Sequence, residues 1–244
     1  MLLVASVGNT SVRVAGFEDG DEPVFLARAP ADAVESLERP PGKVEAVAVA
    51  SVNTAAAERF AAWAARTLGQ EPLELRRHIP VPLRLECEGA DNVGADRLAN
   101  AIGLHRRTGR GGVAVDFGTA INLVVVSPDG AFLGGAIAPG LGMSARALHD
   151  GTALLPLVHP ADHRPGLSGR TEEAIATGLL WGLAGLADRL VERLGWPGAP
   201  VIATGGDASL IVPHCRRVDR IAPHLTLEGI REAYLQWRTR HNRT

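Results

Sequence analysis

Leu2-Leu3-Val4-Ala5-Ser6 is followed by Val7-Gly8-Asn9-Thr10 and then, after Ser11, by Val12-Arg13-Val14-Ala15-Gly16-Phe17. The second flank alternates in character, while Gly-Asn in the middle suits a tight turn, so residues 2–17 read as strand, turn, strand. A second copy begins at Gly112. There Val113-Ala114-Val115-Asp116 leads into Phe117-Gly118-Thr119 and then Ile121-Asn122-Leu123-Val124-Val125-Val126. One hairpin repeated so far along the chain marks an internal duplication, and it sets Ser6 of the first copy against Asp116 of the second.

Working outward, Val44 to Ser51 is a short apolar run, and Ala55 to Leu68 has helical spacing through Phe60, Trp63 and Leu68. Residues 94–107 read as a helix after Gly94, and Thr171 to Leu194 as a longer one with Thr171 as N-cap and Glu173 nearby. Val201-Ile202-Ala203-Thr204-Gly205-Gly206-Asp207 is a buried strand opening into a glycine turn. Strands and helices arranged around a repeated hairpin predict an α/β chain of two lobes, 1–111 and 112–244.

The bulk properties fit that reading. A chain of 244 residues with 46% hydrophobic and 21% charged residues can bury the cores of two modest lobes. The formal charge of −2 gives nucleic acid no electrostatic footing, and Arg238, Arg240 and Arg243 read as a solvated tail. Cys87 and Cys215 are too few for a disulfide framework and lack metal-ligand spacing, and His159, His163 and His214 show no zinc pattern. The opening Met1-Leu2-Leu3-Val4 lacks the basic flank of a secretory signal, and no apolar run is expected to reach the roughly 18 residues of a membrane span. The expectation is a cytoplasmic protein without a membrane.

Gly8-Asn9-Thr10 and Gly118-Thr119 share one chemical logic. Glycine lets the backbone approach an anion, free N–H groups point at it, and a Thr hydroxyl adds a donor. One such turn is weak support for a phosphate site; two matching copies with Thr204-Gly205-Gly206 are much stronger. Asp116, at the end of an apolar strand, needs a partner or a cation. Gly94-Ala95-Asp96-Arg97 puts a carboxylate beside a guanidinium at a helix start. Capping is the plainer local reading, and a base with a cation for an anionic substrate group is the functional one.

Taken in order, Gly8-Asn9-Thr10, Gly94-Ala95-Asp96-Arg97, Asp116-Phe117-Gly118-Thr119-Ala120, Gly134-Gly135-Ala136-Ile137-Ala138-Pro139-Gly140, Thr171-Glu172-Glu173-Ala174 and Ala203-Thr204-Gly205-Gly206 resemble the signature of the type III pantothenate kinases. Leu225-Thr226-Leu227-Glu228-Gly229 is similar to the start of that family's last helix. The resemblance implies two duplicated lobes of the actin, sugar-kinase and heat-shock-chaperone superfold with an ATP cleft between them, and a homodimer. It also implies ATP with Mg2+, a monovalent cation (K+ or NH4+), and phosphorylation of pantothenate to 4'-phosphopantothenate, the first step of coenzyme A synthesis. Asp96 would be the base, and Gly94, Ala95, Asp96, Arg97 and Thr171 would contact pantothenate. Ser6, Val7, Gly8, Asn9, Thr10, Ser11, Val12, Arg13, Thr119, Gly205 and Gly206 would contact ATP, and Asp116 would hold the monovalent cation.

The chain departs from that family at four places. Ser6 stands where the family has an Asp beside the phosphates, and by analogy with one lost transition-state stabiliser this costs roughly 3 to 4 kcal/mol, about 100-fold to 1000-fold in rate. Cys87 replaces a pocket Tyr, Asn122 a Thr and Val124 an Asp. Two other readings therefore stand beside the kinase: an impaired kinase-like nucleotide-binding protein with a regulatory or interaction role, and a kinase of the same fold for another small hydroxy acid.

Overall fold

The computed structural model describes residues 1–241, so Arg243 lies outside the described residues. In chain order the first elements are β1 (Leu2–Val7), β2 (Ser11–Phe17), β3 (Phe25–Pro30), β4 (Ala46–Ser51), α1 (Thr54–Leu68), β5 (Leu73–Glu74), β6 (Arg84–Leu85) and α2 (Ala95–Thr108). There follow β7 (Gly112–Phe117), β8 (Ala120–Val126), β9 (Ala131–Pro139), α3 (Leu141–Asp150), α4 (Thr171–Leu194), β10 (Val201–Thr204), α5 (Ala208–Ile211), β11 (Arg220–Ile221) and α6 (Leu225–His241). They form two units. The first is Met1–Gly109 with Gly130–Phe132 and the segment from His224 on; the second is Arg110–Asp129 with Leu133–Pro223.

The first unit is built on a sheet ordered β3-β2-β1-β4-β5. β1 is buried from Leu3 to Val7, which is why its sequence is a nearly continuous apolar run. It pairs antiparallel with β2, setting Ser6 opposite Arg13, and parallel with β4, setting Ser6 beside Ala50. On one side lies α1. The Asn53 side chain accepts from the Ala56 N–H at its start, Gly69 in the left-handed region ends it, and Phe60 and Trp63 enter the core with Leu3, Val12 and Val47. α2 and α6 pack on each other and on β4 and β1.

The second unit repeats this plan. Its strands run β11-β10-β7-β8-β9, with β7 and β8 antiparallel and β10 parallel to both β7 and β11. Substituting β7 for β1, β8 for β2 and β10 for β4 reproduces the first order, so the duplication extends from the hairpin to the sheet. α4 covers this sheet, packing Ile175, Leu179, Leu180 and Leu183 against Val113, Val115 and Leu123.

Three expectations change. The segment from His224 on and Gly130–Phe132 belong with the first unit, not with 112–244. The cause is the α2–α6 contact, where a Cβ on Gly103 would overlap the Leu225 carbonyl oxygen and one on Gly229 that of Ala99. Arg107 clamps the same contact, donating to buried Glu228 at 2.5 and 2.6 Å. Thr171 is the first helical residue and no cap, because Arg170 occupies the N-cap position with no side-chain bond. Finally, α4 is long and apolar enough by length and composition to cross a membrane, since Ala174 to Ala187 carries no charge. Its buried face is the centre of a core, and a core helix passes the same test.

Candidate active site

In the first unit β1 delivers buried Ser6, 6% exposed, to the mouth of its hairpin. The Gly8 N–H donates to the Ser11 carbonyl at 3.0 Å and closes the turn, and the Ala31 N–H donates to the Thr10 carbonyl at 3.1 Å, tying β3 beneath it. Asn9 and Thr10 are exposed, so the turn presents backbone and hydroxyl outward as a phosphate loop requires.

α2 carries Gly94-Ala95-Asp96-Arg97 at its start. Gly94 is its N-cap, and a Cβ there would come within 2.6 Å of Asp96 Oδ1 and 3.3 Å of Val52 Cγ1. Glycine thus makes the space into which the Asp96 carboxylate folds. Oδ1 accepts from the Arg97 backbone N–H at 2.8 Å, and Asp96 lies in the first turn rather than at the cap position, where it still satisfies a free helix N–H. Burial pushes the carboxyl above its ordinary 3.8, opposed by the Arg97 N–H bond and by the charges of Arg97 and Arg13. A carboxylate raised toward neutrality is a better proton acceptor for an alcohol. Beside it, the Arg97 guanidinium lies 5.9 Å from the Phe132 ring centroid, and its Nε is buried with no hydrogen-bond partner. A buried donor left open costs stability, so it suits a ligand oxygen.

In the second unit Asp116 is 8% exposed, opposite Asn122 and beside Thr204. Gly205 has φ +97°, and a Cβ on it would overlap the Phe117 carbonyl oxygen and lie 2.5 Å from Asp116 Oδ1. Only glycine fits there. The Asp207 N–H donates to the Phe117 carbonyl at 2.9 Å, which folds Gly205-Gly206 over the end of β7. This leaves a carboxylate in a cradle that a side chain would fill, and it fits a bound cation. Thr119 is exposed on its turn. Thr171 is exposed elsewhere, on an apolar groove of about 770 Å³ lined by Pro139, Leu148, Leu155, Ile175 and Leu179. The Gly140 N–H donates to the Thr119 carbonyl at 3.2 Å, and a Cβ on Gly135 would overlap the Leu123 carbonyl oxygen, so these glycines of the 134–140 string serve packing.

Among the described residues no three His, Cys, Asp or Glu side chains gather as a metal cage. Of the departures, Cys87 is half-buried after β6, Asn122 faces Asp116 across the hairpin, and Val124 is core. The other thiol, Cys215, is pushed up to about 12 by burial and by Asp188, which disfavours its thiolate. Sequence reading missed Asn100 and Phe132 and gave Thr226 no role. A polar Asn inside Leu98-Ala99-Asn100-Ala101-Ile102 was the available signal.

Two sheets of one order, each ending in a glycine-lined hairpin turn, define the actin-like, sugar-kinase class of fold. Solved structures agree on the fold: the activator of the 2-hydroxyisocaproyl-CoA dehydratase from Clostridium difficile with bound ADPNP is similar at TM-score 0.60 and 13% identity, covering 100% of this chain and 97% of its own. A ROK family glucokinase from Streptomyces griseus, in complex with glucose and AMPPNP, is similar at TM-score 0.56 and 12% identity, covering 98% and 99%. Residues 2–193 match the family model of type III pantothenate kinase. The type III pantothenate kinase of Frankia alni is 35% identical over 248 residues, 95% of this chain and 97% of that protein. That of Mycobacteroides abscessus is 42% identical over a shorter 159 residues, 62% of this chain and 59% of that protein. The chain belongs to the type III pantothenate kinase family.

Proposed function

We propose that this protein transfers the γ-phosphate of ATP to the hydroxyl of pantothenate, giving 4'-phosphopantothenate. The observation that carries the reading is the half-buried Asp96 carboxylate, its pKa raised by burial, next to the unpartnered Arg97 Nε. Asp96 takes the proton of the substrate hydroxyl as the oxygen attacks phosphorus. Arg97 binds the substrate carboxylate with the backbone of Gly94 and Ala95, and Thr171 completes the contacts to pantothenate. The turn Ser6 to Arg13 holds the phosphates, and Thr119, Gly205 and Gly206 hold the nucleotide. Asp116 would hold a monovalent cation, and with magnesium bound to the nucleotide it would supply the charge neutralisation that phosphoryl transfer requires. The protein works as a cytoplasmic homodimer, a state that the family resemblance supports.

An impaired, purely nucleotide-binding role rests on Ser6 and Cys87, whereas Asp96, Arg97 and Asp116 are intact in the sequence and the chain belongs to a kinase family, so the kinase reading is favoured. The test is ATP-dependent phosphorylation of pantothenate with magnesium and potassium. Binding of ATP without turnover, in this protein and in Ser6→Asp alike, would sink the proposal. Faster turnover of another hydroxy acid would change its substrate.

A further inference from the structure

The string Leu225-Thr226-Leu227-Glu228-Gly229 carries a role beyond closing the fold. Thr226, 1% exposed, is the second residue of α6, and its Oγ1 makes two bonds of opposite sense. It accepts from Arg13 Nη2 at 3.4 Å and donates to Asn100 Oδ1 at 2.8 Å. Asn100, also 1% exposed, stands one turn after Asp96 on α2. A chain of hydrogen bonds therefore runs from the hairpin strand β2, through the start of α6, to the helix that carries the base. Buried polar groups of this kind fix geometry because each is costly to leave unmade.

We propose that Thr226 and Asn100 are positioning residues that hold the Arg13 guanidinium where its charge acts on Asp96. The proposal rests on the kinase reading for its meaning, though not for its test. The charged groups acting on Asp96 are Arg97 on its own helix and Arg13 from β2. Val52, packed at Gly94, is neutral, and on α6 the Glu228 carboxylate is occupied by Arg107. Both arginines favour the ionised carboxylate, so releasing Arg13 raises the Asp96 pKa and leaves less of the base ionised at the acid end of the pH range.

The experiment joins 13C NMR titration of the Asp96 carboxyl, assigned with Asp96→Asn, to the pH profile of kcat/KM for pantothenate. Thr226→Val, Thr226→Ser, Arg13→Gln and the Arg13→Gln/Thr226→Val double variant are compared with wild type. Thr226→Val should move both the carboxyl titration and the acid limb to higher pH and lower kcat on that limb about 2-fold to 3-fold, with KM for pantothenate unchanged. Thr226→Ser, which keeps the hydroxyl, should restore both. In the double variant the Thr226 change should add nothing to Arg13→Gln, as expected for residues acting through one contact. Should Thr226→Val fail to fold, Thr226→Cys, a poor acceptor of similar size, replaces it. An Asp96 titration that stays put in the folded Thr226 variant, or full additivity in the double variant, overturns the proposal. Absence of pantothenate turnover in wild type would sink the kinase reading, while the NMR titration still decides this one.

Discussion

Ser6 and Asp116 hold the same place in two copies of one design. Each is the fifth residue of a six-residue strand, each is nearly buried, and each has an antiparallel neighbour on one side and a parallel one on the other. Their surroundings differ in charge. Ser6 faces Arg13 and lies beside Ala50, whereas Asp116 faces Asn122 and lies beside Thr204. The first hairpin has a cation and no acid; the second has an acid and no cation. Duplication preserved the sheet and the turn, while the charge of the facing pair changed from the Arg13 cation in one copy to the Asp116 anion in the other. Topology and electrostatics are thus specified by different residues, and one can drift without the other.

The comparison can be broken, beginning with the largest effect. With Ser6 neutral, the proposed base is Asp96, and Asp96→Asn should lower kcat by about 10²-fold to 10⁴-fold. Undiminished turnover would remove Asp96 as the base. The same variant has a stability signature. Because the folded pKa lies above 3.8, the ionised carboxylate opposes folding at neutral pH, and that opposition fades as pH falls through the folded value. Asp96→Asn should therefore melt higher than wild type at pH 7 and lose this advantage in acid, which a Tm series against pH would reveal.

Next is Asp116→Asn, expected to cost about 100-fold to 1000-fold in turnover and to abolish stimulation by potassium. Retained stimulation would place the cation elsewhere. Gly205→Ala tests the cradle around that acid. The combination of a positive φ and two clashes should cost about 1 to 3 kcal/mol, readable as a lower Tm and weaker ATP binding. The smallest effect is expected of Ser6→Asp, which makes the first hairpin acidic like the second. Since Arg13 stands opposite and would pair with the new carboxylate, turnover should rise by only about 10-fold, less than an unopposed acid would give. A loss of turnover instead would show that Arg13 is needed free of an acid.

Much of this was legible in the sequence. Alternation and glycine turns revealed both hairpins, and long apolar spacing located α1, α2 and α4 within a residue or so of their observed ends. β3, β9 and α3 were not drawn out because their patterns are mixed: β9 is buried only at its start and α3 buries only Leu141 and Ala145. The return of α6 to the first unit was hidden, since Gly103 and Gly229 acquire meaning only when each meets a carbonyl far away in sequence. At the site, the local string suggested Asp96, but its raised pKa depends on burial and on Arg13 from another element. Likewise the open Nε of Arg97 is a property of packing that no string of letters contains.

The closing of the first unit by α6 also sets an order in time. On the ribosome, β1 to α2 emerge before the second unit, yet the helix that completes the first core and supplies Thr226 emerges only after it. Until then the surface of α2 that receives α6 is bare, with the buried face of Gly103 and the Asn100 amide uncovered. The first unit is therefore completed only after the second has been made, and a nascent chain stopped before Leu225 carries the first hairpin without the Thr226 hydroxyl that bonds its arginine.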